Sequence, residues 1–133
     1  MAFEKNRLIQ GFTASSDMSA ASMQYCFVVL NSSGGVNLVA ATTSAPIGVL
    51  QNTPSRGQTA EVCLHGVSKV RAEADTAIGD LIGSSLNGRA IILTSGTSVA
   101  YPVTGRVLEI GATDNDGALV TAYVNCTLSR NTA

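Results

Sequence analysis

At 133 residues, with 45% hydrophobic and only 13% charged side chains and a net charge of −1, this chain can build one domain with a real core. That composition excludes wholesale disorder, and eight scattered Lys and Arg offer no run able to neutralise adjacent phosphates. Aromatic residues at 5% with no Trp argue against base stacking, and no apolar stretch approaches the ~20 residues of a transmembrane helix. Neither nucleic acid nor membrane is therefore an expected partner.

Met1 to Gln10 lacks the apolar core and small-residue cleavage site of a signal peptide, so synthesis and use in the cytoplasm are expected. Ser and Thr supply 27 residues, so hydroxyls and small side chains must cover much of the surface. A surface so weakly hydrated commonly ends against another protein.

In chain order, residues 1–22 read as a less regular N-terminal arm, with small and polar residues from Thr13 to Ser22 and no firm periodicity. The apolar Phe3, Leu8, Ile9 and Phe12 are too many for a solvated tail. The arm either packs on its own domain or reaches a neighbouring subunit. Strands are then expected at 24–31 and 36–40, a hairpin joined at Ser32-Ser33-Gly34-Gly35, and at 47–51 after Pro46. Ala60–Leu64 and Val67–Arg71 are separated only by His65-Gly66, where the Gly can be a bend or bulge in one long strand. Glu73 to Asp80 is the best place for a short helical turn. Leu81–Ile82, the hairpin signal Asn87-Gly88 and Arg89–Thr94 follow, then a loop at 95–98 and strands at 106–110 and 119–124. Residues 129–133 read as a flexible tail. Turn signals every 8–12 residues define an all-β chain: a single small β-barrel or β-sandwich over 23–128.

Cys26, Cys63 and Cys126 sit among strand-like neighbours with no metal-binding spacing, and read as buried small hydrophobes. His65 is the only histidine; with Cys63 two residues away it would share a face of an extended strand, a thin basis for catalysis. Asp114 and Asp116 start like a calcium loop, but its twelfth position is Asn125 and no helices are expected beside it. No phosphate-cradling glycine pattern occurs. No catalytic, metal or cofactor site is expected. Arg56, Arg89 and Arg106 each lie in or beside a turn and, with Phe3, Leu8 and Phe12, are the candidate interface residues.

The order of Gly48-Val49, the Gly57 to Glu61 loop, Val62 to Val70 (V-x-L-x-G-V-x-x-V) and Gly79-Asp80 resembles the small capsid decoration (cement) proteins of tailed bacteriophages. The likeness is to the group long catalogued as a domain of unknown function beside major capsid genes. Asn87-Gly88-Arg89-Ala90 and Gly105 to Glu109 are similar to that group's closing strands, so the resemblance covers about residues 45–125. It implies a β-tulip-like barrel, a homo-oligomer (trimer or dimer), and the major capsid protein as partner. The implied role is a non-enzymatic structural virion protein on the capsid's outer surface that bridges neighbouring capsomers. The alternatives are another phage structural β-domain, from the tail or head completion, or a small ligand- or carbohydrate-binding barrel.

Overall fold

The computed structural model describes residues 7–41, 44–93, 102–110 and 117–126. Phe3, the 95–98 loop, Asp114 and Asp116, and the 129–133 tail lie outside the described residues. Among the described residues nine strands form one antiparallel sheet: β1 (Leu8–Thr13), β2 (Phe27–Leu30), β3 (Val36–Leu38), β4 (Gly48–Leu50), β5 (Thr59–Arg71), β6 (Leu81–Ser84), β7 (Ala90–Ile92), β8 (Gly105–Glu109) and β9 (Leu119–Asn125). The order across the sheet is β3-β2-β4-β5-β9-β8-β6-β7, with β1 paired to β5. The curled sheet closes where the Phe27 N–H of β2 donates to the Gly88 carbonyl of the β6–β7 turn at 2.6 Å, and β7 is also tied to the chain just after β5, where Glu73 N donates to Ala90 O at 2.8 Å. The all-β expectation holds.

Two cores follow from the burial pattern. The first fills the inside of the curl with Phe27, Val49, Val70, Ile82, Val107 and Val124, among others. The second lies on the other face of β2, β4 and the first half of β5, where Val28, Leu50 and Val62 are covered by Ala14, Met18 and Val36. β2 and β4 are thus apolar on both faces, which explains unbroken runs such as Phe27–Leu30 where a half-exposed strand would alternate.

β5 is one strand of 13 residues, not two. Its pairing to β1 slips between Leu8↔His65 and Ile9↔Cys63, so Leu64 is the extra residue of a bulge, and Gly66 follows with φ 124°. The slip reverses which side chains face inward. Cys63 points into the first core, while beyond the bulge the even positions Ser68, Val70 and Ala72 do so. Cys63 and His65 therefore do not share a face, contrary to the simple period-2 expectation.

β1 itself was not anticipated. The part of the arm beyond it, from Ala14 to Met23, packs over the second core and is pinned by Ala14 N to Gln58 O and Met18 N to Pro54 O. The expected helical turn at 73–80 is also absent: the Asp80 carboxylate accepts from Ala77 N in a simple turn, and Gly79 has φ 92°. Helix propensity lost there to bonds with the neighbouring hairpin, because Glu73 accepts from Ser85 Oγ (2.9 Å) and Asn87 Nδ2 (3.3 Å). The β6–β7 hairpin turns at the Asn-Gly pair, but through the five residues 85–89 rather than a two-residue turn, and of the pair only Gly88 has a positive φ, 77°.

One contact holds three segments at once. The Arg71 guanidinium donates to the backbone carbonyls of Gln24 (3.2 Å), Gly117 (2.8 Å) and Ala21 (3.2 Å). Arg71→Ala is expected to cost about 2–3 kcal/mol, since it strips charge-assisted bonds from three carbonyls. Arg71→Lys should recover little, because an ammonium lacks the planar fork. Urea unfolding of the two variants checks both statements; a loss below about 0.5 kcal/mol for the Ala variant would show the clamp to be idle.

Candidate interaction surface

Register across the strands assembles the outer face of the sheet. Tyr123 on β9 lies opposite Val67 on β5 and Arg106 on β8, and Arg106 lies opposite Leu81 on β6. One row beyond, His65 lies opposite both Asn125 and Leu8; on the other side Thr121 lies between Lys69 and Glu109. Alternation along β9 puts Val120, Ala122 and Val124 in the core, so this intervening set faces outward. Tyr123 and Leu81 are each 38% exposed, and Leu8 is 55% exposed. Large apolar groups thus stand in solvent beside single charges.

The Tyr123 hydroxyl and His65 Nε2 are 2.6 Å apart, with the rings edge to face at 5.3 Å between centroids. That fixes both rings on the face. Arg106 donates to the Gly79 carbonyl at 2.6 Å, which holds its side chain along the surface. Lys69 Nζ lies 5.7 Å from the centre of the Tyr25 ring. A shallow depression of about 200 Å³ opens beside this row, lined by Leu81, Val103, Gly105 and Tyr123 among others.

The six candidates from the sequence separate. Leu8 and Arg106 border this face. Phe12 packs against the second core. Arg56 is exposed in the loop before β5, whose Ser55 N is held by Gln58 Oε1. Arg89 is half-buried and lines a different cleft, of about 390 Å³, with Glu73, Met23 and Leu38. Phe3 lies outside the described residues. Tyr123, His65, Lys69 and Glu109 were not singled out for this surface. Their common signal was weak: polar or aromatic residues at alternate positions of strands whose register the sequence does not reveal.

The reactive side chains are quiet. All three cysteines are free and buried, and burial pushes each thiol up from its ordinary value. The Cys63 thiol therefore stays protonated and donates to the His65 backbone carbonyl at 3.5 Å, while the His65 ring pairs with the Tyr123 hydroxyl. Among the described residues no group of three or more His, Cys, Asp or Glu could hold a metal ion, and no helix is long and apolar enough to cross a membrane.

The fold and this surface define a small antiparallel barrel with a filled interior, presenting a sheet face and an edge strand. Among solved structures the chain is similar to the N base of head fibre gp8.5 of bacteriophage phi29. The TM-score is 0.64 at 19% identity, and the match covers 96% of this chain and 99% of that one. At that identity the likeness establishes the fold. No family model matches the chain, and no curated protein matches it.

Proposed function

We propose that this chain is a structural virion protein that binds the outer surface of a phage head, contacts the major capsid protein and stabilises the shell by bridging neighbouring capsomers. One observation carries the reading: nearly the whole chain shares its fold with nearly the whole of a domain described as the base of a phage head fibre. The resemblance of residues 45–125 to capsid decoration proteins points the same way. The surface suits it, since side chains fill the interior while Leu8, Ile9, Leu81 and Tyr123 stand exposed.

The mechanism is additive binding. A shell filled with DNA fails at the junctions between subunits, and a protein bound across a junction must be released before the junction opens. Contacts repeated over a lattice act together, so weak single sites still hold the shell. β1 is suited to the attachment itself. It pairs with β5, its residues are mostly exposed, and a strand of the shell could add to an edge of this kind through backbone hydrogen bonds.

Sedimentation of the purified protein with undecorated expanded heads tests the reading. Saturable co-pelleting is expected at a fixed ratio to capsid subunits, and it should fall when Leu8 and Ile9 are both changed to Ser. Heads that pellet bare at micromolar protein would reject capsid binding and direct attention to a tail or ligand-binding role.

A further inference from the structure

We infer that Asn87-Gly88 is a self-modifying site, at which the asparagine loses its amide and the closure of the curled sheet loosens as a result. The chemistry needs only water. The Gly88 backbone nitrogen bonds to Asn87 Cγ, the Cγ–Nδ2 bond breaks, and Nδ2 leaves as ammonia with the proton that Gly88 gives up. Water then opens the cyclic imide at either of its carbonyls, which leaves aspartate or isoaspartate at position 87.

Two observations single this position out. Asn87 is the one asparagine in the chain followed by glycine, whose missing Cβ leaves its nitrogen open to attack. Both reacting groups are also weakly held. Asn87 is exposed, its Nδ2 donates to Glu73 Oε1 at 3.3 Å, and Gly88 N donates to the Ser85 carbonyl at 3.2 Å. These bonds lie at or beyond the long end of the N–H···O range. Asn31 and Asn52 are fixed by contrast. Asn31 Nδ2 donates to Ser15 Oγ at 2.7 Å, while its Oδ1 accepts from Ser33 N, Ser33 Oγ and Gly35 N. Asn52 donates to the Thr59 carbonyl and accepts from Glu61 N, each at 3.0 Å.

The consequence follows from what the pair touches. Aspartate at 87 replaces a donor to Glu73 with a second carboxylate facing it, in the cleft that Leu86 and Arg89 also line. Isoaspartate routes the main chain through the side-chain methylene, so the backbone before Gly88 lengthens by one atom. Gly88 sits too tightly to absorb this. Its carbonyl accepts from Phe27 N at 2.6 Å, and a Cβ on it would stand 2.9 Å from the Phe27 carbonyl. Either product works against the contact between β2 and the β6–β7 turn.

The inference goes beyond capsid binding, and its test needs no heads, so the two readings can fail separately. The full chain is kept in warm, mildly alkaline buffer for weeks and sampled by peptide mapping with mass spectrometry. Amide loss is expected at Asn87 ahead of every other asparagine, each event making the native net charge of −1 more negative by one. Asn87→Gln, whose amide stands one methylene further out, should show no conversion at this position over the same period. Asn87→Asp, the direct product, should unfold at a Tm lower by about 4 °C. A native chain that keeps this amide while the urea-unfolded chain loses it would overturn the inference, because the fold would then protect the pair. Amide loss led by another asparagine would overturn it too, as would an Asn87→Asp protein with the Tm of the native one.

Discussion

Phe27→Ala is expected to destabilise the protein by about 4 kcal/mol, seen as a fall of roughly 15 °C in Tm. Phe27 is 0% exposed and is the largest fully buried side chain among the described residues. Its ring packs in the first core, and its backbone N–H makes the bond to Gly88 where the ends of the sheet meet. Removing the ring costs its transfer from water and also leaves a cavity, because the surrounding strands can close in only partly. Leu30 at the other end of β2 is half exposed, and Leu30→Ala should cost under about 1 kcal/mol. Calorimetry of the two variants checks the contrast. Similar shifts for both would mean that the Phe27 side chain is not packed as its complete burial implies.

Gly105→Ala is expected to cost about 3 kcal/mol, or to prevent folding altogether. A Cβ at this position would fall inside van der Waals contact with the Tyr123 carbonyl, which is backbone and cannot turn aside. Gly105 lies opposite Val124, so β8 and β9 owe their close approach to this residue. The added methyl must push the two strands apart, and overpacking against backbone lies at the costly end of such changes. The same displacement would disturb the Arg106–Tyr123 row, so outer-face binding should fall along with stability. A fully stable Gly105→Ala protein would show that the β8–β9 approach is looser than described.

Some of this architecture was legible because it was written locally. Positive-φ demands mark Gly88 and Gly66, and short β-branched runs mark β3, β4 and β9. Elements that depend on remote partners were not legible. β1 has no buried face to impose alternation, since five of its six residues are exposed and only Phe12 reaches a core. The second core was hidden because β2 and β4 are apolar on both sides, a pattern that does not say how many layers surround a strand. Arg71 looked like an ordinary polar residue at a strand end, yet its three acceptors lie 46 to 50 residues away in the chain.

The candidate surface failed to show for the same reason. Lys69, Thr121 and Glu109 become neighbours through the β5–β9 and β8–β9 registers, and the second of these slips between Val107 and Glu109. Without that slip Glu109 would not lie opposite Thr121. Arg106 could be picked out because it follows Gly105 near a turn, and Leu8 because it is apolar in a polar stretch. The Tyr123–His65 pair that orders the face joins residues 58 apart.

Decoration of a phage head by this barrel, as proposed above, can be seen directly. Cryo-electron microscopy of undecorated expanded heads mixed with the purified protein tests it most directly, with unexpanded shells as the control. Added density of barrel size is expected at symmetry-related junctions between capsomers, contacting at least two of them. Heads without added density at saturating protein, or density confined to a single vertex or to the tail, would contradict it.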